Sequence, residues 1–470
     1  MSLTSKLVRP TTRFHGIKPS RIMVTSPSMF QKFRFAQTMV NVQQSPLSQA
    51  DKELVAVTQQ HPSGICEIQM NRPKKLNAFN DEMCGIMSRS ILEWEKSETA
   101  KAILVKGNGG KAFCAGGDIK FLLDLEDTNQ HQVAADIFSR HCRLQHLIGS
   151  IKTPYIALMD GITMGAGVGL VMNAPFRVAT ENTLYSMPEN MIGHFNDASA
   201  TFWMPRLDGH MGEYLGVTSS RLGGADSFFA GIATHFVQSK NLNELEKALQ
   251  DLAIKSNSRL DRDSINAVIE DFSENMDQDK FSLGGGIYQA INRCFQYGTM
   301  EEIINALEEE KEAVQWAKQT IEQLSALSPT AMKTSLELFR RGVDLSLLES
   351  LRLESKVASR SMAGREFSEG VRSVVVTRTK ADWDPPTLKQ VDLEDLKSRF
   401  FDAPDNNPME PLLDGGHLKE YPQTRYMLPR CSEILEVANK INNQEDTIKY
   451  LVEKYNDKKG IKAKITSVLQ

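Results

Sequence analysis

Four short apolar-rich runs, Ile65 to Met70, Ala102 to Lys106, Tyr155 to Met159 and Phe176 to Ala179, recur through the first half of the chain with helical-period segments between them. Runs of this length bounded by turn formers read as buried strands. Between the first two, Asp81 to Glu95 follows Asn80, a residue type that caps helix N-termini, and carries Met83, Met87, Ile91 and Trp94 at helical spacing as core positions. From about Leu242 the pattern turns helical, with charged, heptad-like stretches from Met300 to Leu324 and from Lys333 to Leu351. Ser328-Pro329-Thr330 marks a break between two helices, because proline lacks the N–H that a helix interior uses. These patterns predict an α/β body followed by a helical region.

Turn formers dominate Trp383-Asp384-Pro385-Pro386 and residues 403–408, which places the end of the main domain near residue 400. The expected organisation is an N-terminal segment over residues 1–50, a main domain over 51–400 and a C-terminal extension over 401–470. From Ser432 to Gln470 the extension is charged and expected to be helical, a peripheral packing or partner element.

The N-terminal 50 residues hold seven basic side chains, Lys6, Arg9, Arg13, Lys18, Arg21, Lys32 and Arg34, no Asp or Glu, and many Ser and Thr. That composition matches a mitochondrial transit peptide and linker, with a plain basic tail or a nucleic-acid-binding arm as the other readings. Without those charges the formal balance of -4 becomes -11, so the remaining body is acidic and a poor general binder of phosphate backbones. The apolar stretches fall short of the ~18 to 20 residues that cross a bilayer, so no membrane insertion is expected. Six cysteines are scattered without a CxxC pair, which predicts reduced thiols and neither a zinc knuckle nor a dithiol site. No metal site and no cofactor are predicted.

Three turn-like segments carry the candidate chemistry: Phe113 to Asp118, Gly161 to Gly169, and Ser186-Met187-Pro188-Glu189. The small residues of the first two allow the main chain close to a ligand oxygen, the arrangement of an oxyanion hole. Each taken singly also reads as a tight packing turn. Gly165 to Gly169 does not complete the GxGxxG pattern of a dinucleotide-binding loop. His194 reads as a satisfied loop polar group.

The order Asn71-Arg72-Pro73 through Ala78, FCAGGDI from Phe113, DGITMGAGVGL from Asp160, FRVATEN from Phe176 and MPE from Met187 resembles the crotonase superfamily. AGIATHFV from Ala230, SPT from Ser328 and EFSEGVR from Glu366 are similar to its 3-hydroxyisobutyryl-CoA hydrolase branch. The resemblance covers roughly residues 53–400. It implies a spiral of ββα units with a helical C-terminal region over an acyl-CoA site, often packed into homo-oligomers in the mitochondrial matrix. By that resemblance the N–H groups of Gly117 and Ala166 hold the thioester oxygen, Glu189 activates water or attacks directly, Asp197 orients the β-hydroxyl and Asp124 contributes to substrate binding. The implied reaction converts 3-hydroxyisobutyryl-CoA to 3-hydroxyisobutyrate and CoA, a step of valine breakdown.

Enoyl-CoA hydratases of the superfamily use two glutamates, and the position of one is Gly169 here, which makes hydratase the weaker reading. Two departures from the family lie near the site: alanine stands at 166 within a usual run of three glycines, and Asn196-Asp197-Ala198-Ser199 replaces a stretch with proline and glycine. Relatives of the hydrolase are also built into the small subunit of the mitochondrial ribosome, and the tail after residue 400 resembles their long C-terminal arms. The second expectation is therefore a ribosomal structural component with a vestigial pocket.

Overall fold

The computed structural model describes residues 55–58 and 61–470 except 278–279, 363, 406–407 and 418. The expected transit peptide lies outside the described residues. Ten strands form two sheets: β1 Val55–Thr58, β2 Ile65–Met70, β3 Ala102–Gly107, β4 Ala112–Cys114, β5 Tyr155–Met159, β6 Ile162–Met164, β7 Phe176–Ala179, β8 Leu184–Ser186, β9 Arg221–Gly223 and β10 His235–Phe236. The larger sheet runs β1-β2-β3-β5-β7-β10 and the smaller β4-β6-β8-β9. Within them only the β1–β2 and β8–β9 pairs are antiparallel.

From β3 to β8 successive strands alternate between the sheets. Each of β3, β5 and β7 is followed by a short strand in the smaller sheet, which gives the ββα spiral its turns. All of β5 and β7 is buried, as expected for strands covered on both faces. The four strands expected from sequence lie where predicted, β3 ending one residue later. The helix Asp81–Lys96 starts on Asn80, whose side chain accepts the N–H of Met83, and buries Met83, Met87, Ile91 and Trp94.

The helical second half differs in two places. The stretch from Met300 to Leu324 is two helices, Met300–Glu309 and Val314–Ser325. Between them the Glu310 carboxylate accepts the N–H groups of Glu312 at 2.8 Å and Ala313 at 3.1 Å while pairing with Arg293, so side-chain bonding replaces the helical ladder. The stretch from Lys333 to Leu351 is divided between Pro329–Gly342 and Leu347–Ser361, the latter opened by a capping box of Ser346 and Glu349. Ser328 caps the former, with Pro329 at its first position.

The extension forms three helices, Cys431–Ile441, Gln444–Lys454 and Ile461–Leu469. Their Ile434, Leu451, Ile461, Ile465 and Val468 enter the same core cluster as the strands, and the described residues form one compact unit. The approach to the extension is tied down as well: Tyr421 Oη donates to the carbonyl of Met172, and Gln423 Nε2 to that of Asn173 at 2.9 Å. The wholly buried Arg177 lies over the Tyr421 ring. All six cysteines are free and buried. Among the described residues, no helix is long and apolar enough to cross a membrane.

Candidate active site

Three neighbouring parallel strands of the small sheet, β4, β6 and β8, end side by side, and a candidate residue follows each within three positions: Gly117, Ala166 and Glu189. Strand spacing in a sheet is about 4.8 Å, so segments leaving adjacent strand ends converge. The carboxyl ends of parallel strands are also where ligands gather in α/β folds.

A glycine with positive φ precedes each of the two backbone donors. Gly116 has φ 106° and Gly165 has φ 48° with ψ −121°, conformations that L side chains avoid. The two turns abut: a Cβ added at Gly165 would lie 3.6 Å from Gly116 Cα. Among the described residues, neither the N–H of Gly117 nor that of Ala166 is taken by a protein acceptor. The first turn is braced from outside by hydrogen bonds from Phe79 N to Gly116 O and from Asp118 N to Phe79 O, both 2.8 Å, and by Arg72 on Asp118 at 2.8 Å.

Glu189 opens a single 3-10 turn after Pro188, and only 5% of it is exposed. Its carboxylate lies over the Gly165 turn, since a Cβ at Gly165 would fall 2.8 Å from Glu189 Oε1. The other oxygen, Oε2, accepts from Asn196 Nδ2 at 2.9 Å. Burial, and then the charge of Asp197, push the Glu189 carboxyl well above its ordinary range. Asp197 faces the same cavity with 17% of its side chain exposed, and burial pushes it up to about 7. Gly117, Ala166, Glu189 and Asp197 thus line one cavity, closed by Leu122, Ile137, Phe138, Ile192 and Phe367.

Asp124 is not part of that lining. It is exposed on the helix Ile119–Asp127, three residues past Phe121, which lines the cavity together with Ile119 and Leu122. His194 also departs from the expected satisfied loop residue: it is buried among Phe138, Phe195 and Phe367, and its Nε2 has no hydrogen-bond partner and lies 4.0 Å from Asp197 Oδ2. Burial drives its basicity down to about 3, which keeps it neutral. His141, from the helix His131–Ser150, lines the cavity too, neutral for the same reason. No local motif marks His141, because a histidine inside an amphipathic helix gives no sign of which face meets a cavity.

Gly169, where a second carboxylate would stand, is packed. A Cβ there would lie 2.7 Å from Gln145 Nε2 and 3.1 Å from Ala198 Cβ. Among the described residues, no cluster of three or more His, Cys, Asp or Glu side chains is arranged to hold a metal ion.

The chain is similar to several known proteins of one family. The small ribosomal subunit protein mS47 of Neurospora crassa is 37% identical over 418 residues, covering 86% of this chain and 82% of that protein. The mitochondrial 3-hydroxyisobutyryl-CoA hydrolase of Homo sapiens is 37% identical over 377 residues, 79% of this chain and 95% of that one. The Mus musculus hydrolase is 40% identical over 336 residues, 71% and 85%. Among solved structures, a carnitinyl-CoA dehydratase from Mycobacterium thermoresistibile superposes with a TM-score of 0.67 at 28% identity, over 76% of this chain and 98% of its own. The family model for enoyl-CoA hydratase/isomerase matches residues 65–400, and the chain belongs to that family, the crotonase family.

Proposed function

We propose that this protein hydrolyses 3-hydroxyisobutyryl-CoA to 3-hydroxyisobutyrate and CoA in the mitochondrial matrix. The observation that carries the proposal is the buried Glu189 carboxyl over the Gly165 turn, with a packed glycine at 169 where a second glutamate would stand. Adding water across a double bond asks for an acid and a base at the reacting carbons, whereas thioester cleavage needs one group that takes a proton and returns it. The names of the human and mouse relatives support the same substrate.

In the proposed reaction the thioester oxygen accepts the N–H groups of Gly117 and Ala166. Ionised Glu189 removes a proton from water as the water oxygen bonds to the carbonyl carbon. The resulting oxyanion collapses, the C–S bond breaks, and the departing CoA sulfur takes the proton from Glu189. Direct attack by Glu189, through an anhydride that water then opens, passes through the same oxyanion. Asp197 receives the β-hydroxyl of the substrate.

The test is release of free thiol from 3-hydroxyisobutyryl-CoA by the wild-type protein and by Glu189→Gln. Turnover abolished by the substitution supports the reading, and equal rates in both remove Glu189 from the chemistry. A second reading, a structural component of the mitochondrial ribosomal small subunit, is favoured by one observation: the ribosomal relative aligns over 86% of the chain, against 79% and 71% for the human and mouse hydrolases. Absence of turnover together with co-sedimentation with the small subunit would establish it.

A further inference from the structure

Asp197 sits on a turn that resists its own sequence. The two residues after it, Ala198 and Ser199, have φ of 61° and 58°, the left-handed region that side chains bearing a Cβ disfavour. Such a turn persists only where its surroundings over-determine it. Here the determinant lies 155 positions away: Glu354, on the helix Leu347–Ser361, is wholly buried and accepts the N–H of Ser199 on Oε2 at 2.9 Å and that of Thr201 on Oε1 at 2.8 Å. The Glu354 carboxyl presents a separate oxygen to each amide, whereas an amide or alcohol side chain has a single acceptor oxygen.

We propose that Glu354 is a positioning residue that clamps the left-handed 198–199 turn and thereby holds Asp197 in the cavity, giving preference for acyl chains that carry a hydroxyl. The proposal rests on the reading that Asp197 receives that hydroxyl. It also has a consequence independent of turnover. Glu189, Asp197 and Glu354 are three buried carboxyls on which no lysine or arginine forms an ion pair among the described residues. Burial and the charge of Asp197 push Glu354 up to about 8. The other titratable groups facing the cluster are the Cys142 thiol and His141 on the helix His131–Ser150, the Tyr185 phenol on β8 and His194. Burial leaves all four neutral near pH 7, and the charge of Arg143 reaches Cys142.

The sign of the pH effect follows. Carboxyls raised in the folded state keep protons that the unfolded chain releases, so their contribution to stability is full below about pH 4, the ordinary carboxylate range, and is lost as pH rises through about 7 to 8. Glu354→Gln removes one such carboxyl and a charge that helps to raise Glu189.

Two measurements test the clamp. The first is kcat/KM for 3-hydroxyisobutyryl-CoA against isobutyryl-CoA in wild type and Glu354→Gln. The expected result is a loss of about tenfold or more in the ratio, partly restored by adding Ala198→Gly, because glycine enters the left-handed region freely. The second is Tm between pH 5 and 9, where Glu354→Gln should flatten the decline. An unchanged ratio with an unchanged pH slope overturns the proposal. If wild type releases no CoA, the hydrolase reading fails, and the pH slope alone still decides the role of Glu354 in the cluster. If Glu354→Gln does not fold, recovery of the fold in the double variant supports the clamp, and its failure to recover overturns it.

Discussion

The two walls of the cavity are built in different ways. The donor wall is set mainly by backbone: β4 and β6 pair, each runs into a glycine turn, and Gly116 and Gly165 set the direction of the next N–H, with Phe79 and Arg72 bracing the first turn. The carboxylate wall is assembled from afar. Asn196 holds Glu189, Ser335 accepts the Asn196 amide at 3.0 Å and donates to Asn190 Oδ1 at 3.0 Å, and Glu354 holds the turn beyond Asp197. The first wall is set by backbone conformation, which tolerates no side chain at two positions. The second is a hydrogen-bonded network whose members polarise and position one another, and it carries the titrating groups.

The largest effect that would sharpen this contrast is Glu189→Gln, which removes the only proton acceptor of the proposed step. Thiol release should fall by about 10² to 10⁴-fold, with an unchanged circular dichroism spectrum. Next, Gly165→Ala strikes the donor wall, since its Cβ would meet the Glu189 carboxylate at 2.8 Å and its φ is 48°. Loss of one donor is worth about 10² to 10³-fold in kcat, so a loss below tenfold in steady-state kinetics would show that the turn relaxes freely.

Asp197→Asn probes the coupling within the other wall. The proposed base must be ionised, so activity falls as pH drops through the raised Glu189 pKa. Removing the Asp197 charge lowers that pKa and moves the acid limb of the kcat profile to lower pH. An immobile limb would assign the rise to burial alone. The smallest expected effect is on stability: Gly169→Ala places a methyl against Gln145 and Ala198 and should cost about 1–3 kcal/mol, read as a lower midpoint in urea denaturation.

Much of the fold is legible along the chain because strands and capped helices leave short-range periodic marks. β2, β3, β5 and β7 are apolar runs between turn formers, and Asn80 before Met83 signals a helix start. The helix boundaries near 310 and 343 are not legible in this way. They depend on Glu310 meeting Arg293 and on Gly342, where a Cβ would lie 1.8 Å from the carbonyl oxygen of Thr201. The extension likewise reads as a charged peripheral helix from its composition, yet Ile434, Leu451 and Ile465 pack into the core of the body.

The same division runs through the site. Sequence alone determined the two glycine turns, the position of Glu189 after its proline and the absence of a carboxylate at 169, because each is a matter of residue type at a short spacing. Only the tertiary structure decided which other polar groups face the cavity: Asp124 is outside its lining, His141 and His194 line it, and Glu354 reaches its loop across 155 positions. Burial and charge coupling depend on what the fold brings near, and that proximity leaves no trace in the order of neighbouring residues.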